Sequence, residues 1–226
     1  MKKKVLISLL MMLLLCGCAY TEPNAQYTVT ALGFSDVGEG AAAFLQAIDA
    51  SGGEQNGQPD TFTVTGRGKD ISAALDDIKT QLSKKPSFKH CQLVLVSPTV
   101  GGDELSGVID LCRELDISLK TRLALCNDIQ ATLDNDKISS GIDLAALIKQ
   151  NSVSFGYGAH TALFEIATAM LTAEGEFALP VLESNQDKIS VEGLLRYSGS
   201  FPQKYLNIEE SIRYAKENNV YEGEGE

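Results

Sequence analysis

The chain has no tryptophan and only two histidines in 226 residues, and its 19 lysines and arginines are outnumbered by 30 acids. Each shortage removes a class of function. With so few imidazoles there is no His-Glu-x-x-His helix and no histidine-rich metal cluster. The net charge of −11 repels nucleic acid and anionic membrane surfaces alike. There is no Gly-x-Ser-x-Gly elbow, no Cys-x-x-Cys pair and no internal repeat. What is present, 44% hydrophobic and 22% charged residues, describes a chain able to bury one sizeable core.

The first residues differ from the rest. Lys2-Lys3-Lys4 is a basic start, residues 5–15 are predominantly apolar but too short to span a bilayer, and Leu15-Cys16-Gly17-Cys18 resembles a lipobox. This predicts a processed lipoprotein signal over residues 1–17, with Cys18 as the lipidated N-terminus and residues 18–24 as a tether. Two acyl chains suffice to hold an acidic domain at a membrane. Beyond the anchor, Cys91, Cys112 and Cys126 sit at apolar positions. Their odd number reads as small core residues, and a disulfide within the set is left open.

Residues 61–96 organise the middle of the chain. Thr61 to Thr65 alternates as a half-buried strand, Gly66-Arg67-Gly68 breaks it, and Asp70 is placed to cap a helix. Ile71, Ala74, Leu75, Ile78 and Leu82 then form one apolar stripe. Pro86 is expected to end that helix, and Cys91 to Val96 reads as a strand covered on both faces. Strand, helix and strand predict a βαβ unit.

Around it, Tyr27–Phe34 reads as the first strand, and 42–48 as its partner despite alanines that favour helix. Residues 49–60 read as a polar loop. Leu105 to Leu115 reads as a second crossover helix and Thr121 to Cys126 as a strand parallel to those at 61 and 91. Helices are predicted over 129–133, 141–150 and 163–171, with a glycine-containing connection from Ser152 to His160. A strand follows at 178–182, where Pro180 implies an edge or an irregularity. Residues 189–206 read as a hairpin turning at Ser198-Gly199-Ser200, with a helix over 207–218 and an acidic, disordered tail. The predicted class is α/β (α+β), a mixed sheet with a parallel βαβ core, flanking helices and a C-terminal β-hairpin.

Thr65-Gly66-Arg67-Gly68-Lys69, its helix, and Phe88-Lys89-His90 leading into Cys91 to Val96 resemble the N-terminal domain of the Ger(x)C family, the lipoprotein C subunits of nutrient germinant receptors of bacterial endospores. Val108 to Leu125 with Arg113, the Pro180 strand, and a closing hairpin with Gly193 and Leu206 at matched positions extend the resemblance over residues 25–206. The chain departs from the family in having Ala19-Tyr20 where a tryptophan follows the lipidated cysteine, and in lacking a counterpart of the larger C-terminal domain. The resemblance implies a non-enzymatic lipoprotein subunit acting in spore germination. It would be held at the outer face of the spore inner membrane through Cys18, beside membrane-embedded A- and B-type receptor subunits, with no cofactor and no metal. Gly66, Gly68, His90, Arg113 and Gly193 are its candidate structural or contact residues.

The residues offer little chemistry of their own. Gly66 to Asp70 superficially suggests a phosphate loop, but the first glycine of that pattern falls on Thr63 and Asp70 replaces the magnesium-binding hydroxyl. His90 reads as a structural histidine bonded to a nearby carbonyl, and His160 as a cap or surface residue. Asp76 and Asp77 read as solvated acids, and Asp134-Asn135-Asp136 lacks the glycine and distal glutamate of a calcium loop. The alternative function is capture of a small solute for a transporter, with a pocket at the carboxyl ends of the parallel strands.

Overall fold

Val29 to Phe34 is almost wholly apolar, and this run becomes β1 (Gln26–Asp36), which lies inside the sheet with neighbours on both edges. The structure is a computed structural model describing residues 25–36, 40–50, 61–100, 102–135, 140–172, 175–185 and 188–218, without the side chains of 152–155. The expected signal and tether, residues 51–60 of the expected loop, the connection at 156–160 with His160, and the acidic tail lie outside these residues.

Eight strands follow β1: β2 (Ala41–Ile48), β3 (Thr61–Gly68), β4 (Lys85–Ser87), β5 (Leu93–Val96), β6 (Arg122–Cys126), β7 (Glu176–Asn185), β8 (Lys188–Ser198) and β9 (Phe201–Asn207). They form one mixed sheet in the order β3-β2-β1-β5-β6-β7-β8-β9, with β4 also on β1. The pairs β1/β5, β5/β6 and β6/β7 are parallel, and the outer pairs on both sides are antiparallel. Strand side chains alternate between two apolar layers. Leu32, Leu45, Val94 and Leu123 face one, and Ala31, Phe44, Leu95 and Ala124 the other.

Helices α1 (Ile71–Gln81), α2 (Asp103–Glu114) and α5 (Leu163–Met170) cover the first face. The second is covered by α3 (Ile129–Leu133), α4 (Gly141–Phe155) and α6 (Ile208–Asn218). The mixed α/β architecture with a parallel core and a closing hairpin is therefore present. The alanine-rich segment is a strand because residues 41–47 are buried between β1 and β3, where small side chains admit helices on both faces.

The strands at 61 and 91 are parallel and joined through α1, as the βαβ reading has it; β1 and β2 lie between them, so α1 crosses two strands. Three expectations are corrected. The helix ends at Gln81 rather than Pro86, and Pro86 pairs with Tyr27 in β4. Cys91 lies in a turn, and the buried strand begins at Leu93. The helix expected over 141–150 continues to Phe155, which makes 152–155 helical. Pro180 is not at an edge, since β7 lies between β6 and β8. The irregularity is real: β6 bonds β7 only at Val181 and Leu182, and the register with β8 shifts between those two residues. Upstream, β6 instead meets the segment entering α5, with Leu123 N donating to Thr161 O at 2.7 Å. The missing N–H of Pro180 thus falls where β7 has no β6 partner.

Candidate functional site

The β3–α1 junction shows why its glycines are needed. A Cβ on Gly66 would run into the Ala74 carbonyl oxygen and lie 2.7 Å from Ile78 Cγ1, and one on Gly68 would lie 2.7 Å from Ala73 Cβ. Both glycines let α1 settle directly onto β3. The helix start that resembles a phosphate loop carries its own carboxylate, as Asp70 Oδ1 accepts from Ala73 N at 2.8 Å.

The far end of α1 closes the edge of the sheet. Arg67 N donates to Asp77 Oδ2 at 3.1 Å, and Gln81 Nε2 donates to Thr65 O at 3.1 Å. Asp77 is therefore an edge cap for β3 rather than only a solvated acid. Nothing in the local sequence marks it, because its partner belongs to the preceding strand.

The other sequence-derived residues lie apart from this junction. His90 is exposed in the turn between β4 and β5. It has no hydrogen-bond partner among the described residues, which corrects the expected carbonyl contact. What anchors the turn is buried Phe88, whose carbonyl accepts from Cys91 N at 3.0 Å. Arg113, near the end of α2, pairs with Asp110 at 3.0 Å on the solvent face. Gly193 lies under β9, where a Cβ would strike the Leu206 carbonyl oxygen and lie 2.9 Å from the Tyr205 hydroxyl. That hydroxyl crosses Gly193 to donate to Glu192 O at 2.9 Å.

Cys91, Cys112 and Cys126 are free and buried. Burial pushes the Cys91 and Cys112 thiols up to about 12, with each other's proximity adding to the effect at Cys91. Burial also raises Cys126, against an opposing hydrogen bond with Thr132 Oγ1 at 2.9 Å. All three are protonated at neutral pH and unreactive as nucleophiles. Among the described residues no group of His, Cys, Asp or Glu is placed to hold a metal ion, and no helix is long and apolar enough to cross a membrane.

A cleft of about 460 Å³ opens at the carboxyl ends of β1 and β3, between the start of α1 and α2. Because α1 crosses two strands, it lies over β3 and β2 while α2 follows β5, and the cleft occupies the gap between them. Asp36 and Ala41 lie at its floor, Lys69 and Ile71 on one wall, and Glu104 and Gly107 on the other. Sequence reasoning placed a pocket at these strand ends but did not name these residues. The signal that could have found them is Gly107, a glycine inside a strongly amphipathic helix.

Residues 19–184, well over half of the chain, match the family model described as the spore germination protein N-terminal domain. No curated protein and no solved structure matches.

Proposed function

The chain belongs to the family of the spore germination protein N-terminal domain, and from that premise we propose that it is a non-enzymatic, lipid-anchored subunit of a nutrient germinant receptor. The observation that carries the reading is the extent of the match, which takes in the sheet from β1 into β7 and both crossover helices. The leader adds to it: a basic start, a short apolar run and Cys18 form the pattern of a diacylated lipoprotein. The proposed site is the outer face of the spore inner membrane, beside A- and B-type membrane-embedded subunits. Residues 25–206 form the proposed receptor domain, with Gly66, Gly68 and Gly193 setting its packing and His90 and Arg113 offered at its surface.

A non-enzymatic role fits the engagement of the reactive groups. The thiols are protonated and buried, and Asp70 and Asp77 are committed to backbone N–H groups. The test is affinity capture of the tagged chain after crosslinking in spore inner membranes. Both membrane subunits are expected in the captured material, and Cys18→Ala is expected to move the chain into the soluble fraction. Capture of a transporter instead would overturn the receptor role in favour of solute capture, the second reading, which the cleft favours.

A further inference from the structure

We propose that the end of the sheet from which the tether leaves is a docking surface for a phospholipid bilayer, with Leu119 and Phe164 seated among the headgroups. This orientation rests on the lipid anchor at Cys18 proposed above, and it assigns the face that the anchor holds against the membrane.

Helix α5 is apolar on both of its sides. Leu163 and Ile166 are fully buried in the first layer, as an amphipathic helix requires. On the outward side Phe164 is 49% exposed, and Leu171 follows it at i+7, exposed just past the helix end. Thr168, between them, turns its hydroxyl back to Phe164 O at 2.7 Å. Glu165, the helix's carboxylate, is folded back, with Ala162 N donating to its Oε2 at 3.1 Å. Leu119, 45% exposed, adjoins this side, since Phe164 N donates to Leu119 O at 3.0 Å. Large apolar side chains thus stand in solvent on adjoining segments, the mark of a surface that something covers.

Position decides the occupant. β1, β5 and β6 are parallel, so Gln26, where β1 begins, and Leu119, in the turn before β6, lie at the same end of the sheet. β5 separates β1 from β6, which sets the two ~10 Å apart across the sheet. Residues 18–24, fully extended, reach ~25 Å, whereas the 11 residues of β1 span ~36 Å. A bilayer that holds Cys18 is therefore within reach of Leu119 and Phe164 and out of reach of the opposite end. Lys85, Lys89 and Lys120 are exposed here without a side-chain partner among the described residues, and they suit lipid phosphates. Glu114 and Asp116, at the end of α2, offset part of that charge, so the apolar pair carries the contact. Acids at the far end, among them Asp70 and Asp103, are screened over the ~8 Å Debye length of physiological salt.

The chain has no tryptophan, so one introduced ring reports its own surroundings. The test couples the mature chain through Cys18 to a maleimide lipid in vesicles of phosphatidylcholine and phosphatidylglycerol, and reads single variants against brominated lipid. Cys91, Cys112 and Cys126 are buried and stay out of the coupling. Phe164→Trp and Leu119→Trp are expected to shift to shorter wavelength on the vesicle and to lose most of their emission to the bromines. Ser72→Trp, exposed at the start of α1 at the far end, is expected to do neither. An unquenched Phe164→Trp on the coupled, folded chain, or equal quenching of all three variants, would overturn the proposal. So would a blue shift of Phe164→Trp that follows protein concentration without vesicles, since a second copy would then cover the surface. The mass of the natural N-terminal peptide tests the anchor separately: an unacylated Cys18 would overturn both readings, and unquenched rings beside an acylated Cys18 this one alone.

Discussion

Gln46 is the polar residue of an otherwise apolar β2, and it is 2% exposed. Its amide joins three elements. Oε1 accepts from Gly141 N at 2.6 Å and from Thr30 Oγ1 at 3.0 Å, and Nε2 donates to Leu133 O at 2.8 Å. One side chain thus fixes the end of α3 and the start of α4 against β1 and β2. Gln46→Leu would leave a buried N–H, a buried carbonyl and a buried hydroxyl without this partner. At about 1–3 kcal/mol for an orphaned group, partly relieved by relaxation, the variant should lose about 3 kcal/mol. Urea unfolding should show a lower midpoint at unchanged slope, and a midpoint near that of the parent would disprove the account. None of this is legible locally, since the partners of Gln46 on α3 and α4 are 87 and 95 positions away. Sequence shows only a polar residue within a strand.

Among the elements, glycine has opposite meanings in β3 and α2, and one substitution separates them. Gly66→Ala sets a methyl group against the Ala74 carbonyl and Ile78, so α1 must lift from the sheet, at a cost of about 2–3 kcal/mol. Gly107→Ala meets nothing and gains about 0.5–1 kcal/mol of helix propensity. The unfolded chain loses similar freedom in both, so opposite shifts in thermal unfolding would report the difference between the two folded-state sites. Shifts of the same sign would contradict it. The contrast also shows what the elements disclosed in advance. The stripe of α1, the Asp70 cap and the short α3 were legible because periodicity and capping are local. The end of α1 was not, because Leu82 continues the apolar stripe while its backbone turns extended (φ −88°, ψ 134°). The insertion of β1 and β2 between β3 and β5 depends on pairings that no crossover pattern encodes. The cleft follows from that insertion, which is why its position was foreseeable and its residues were not.

Over the whole molecule, the sheet separates two apolar layers, with thiols in both: Cys91 and Cys112 in the first, Cys126 in the second. Folding therefore requires all three to stay protonated, and stability is linked to alkaline pH. Burial raises Cys91 and Cys112 from 9.0 to about 12 in the folded chain. A raised folded pKa gives stability that is fully present below the unfolded value and lost as pH rises towards the folded one. The loss therefore begins near pH 9, where only unfolded thiols ionise, and extends to about pH 12. Each such thiol contributes about 1.4 kcal/mol per pH unit in that window. Tyr197 joins later, its buried phenol raised from 10.0 to about 12 while its ring stacks on Phe177 at 4.9 Å. Urea unfolding under reducing conditions should show little thiol-linked change from pH 7 to 8 and a steep fall above pH 9. In Cys91→Ala/Cys112→Ala the fall should be shallower by about 2.7 kcal/mol per pH unit, whatever the cavities cost at neutral pH. Parallel pH profiles for parent and variant would mean that the thiols ionise alike in both states, contrary to their placement in the packed layers.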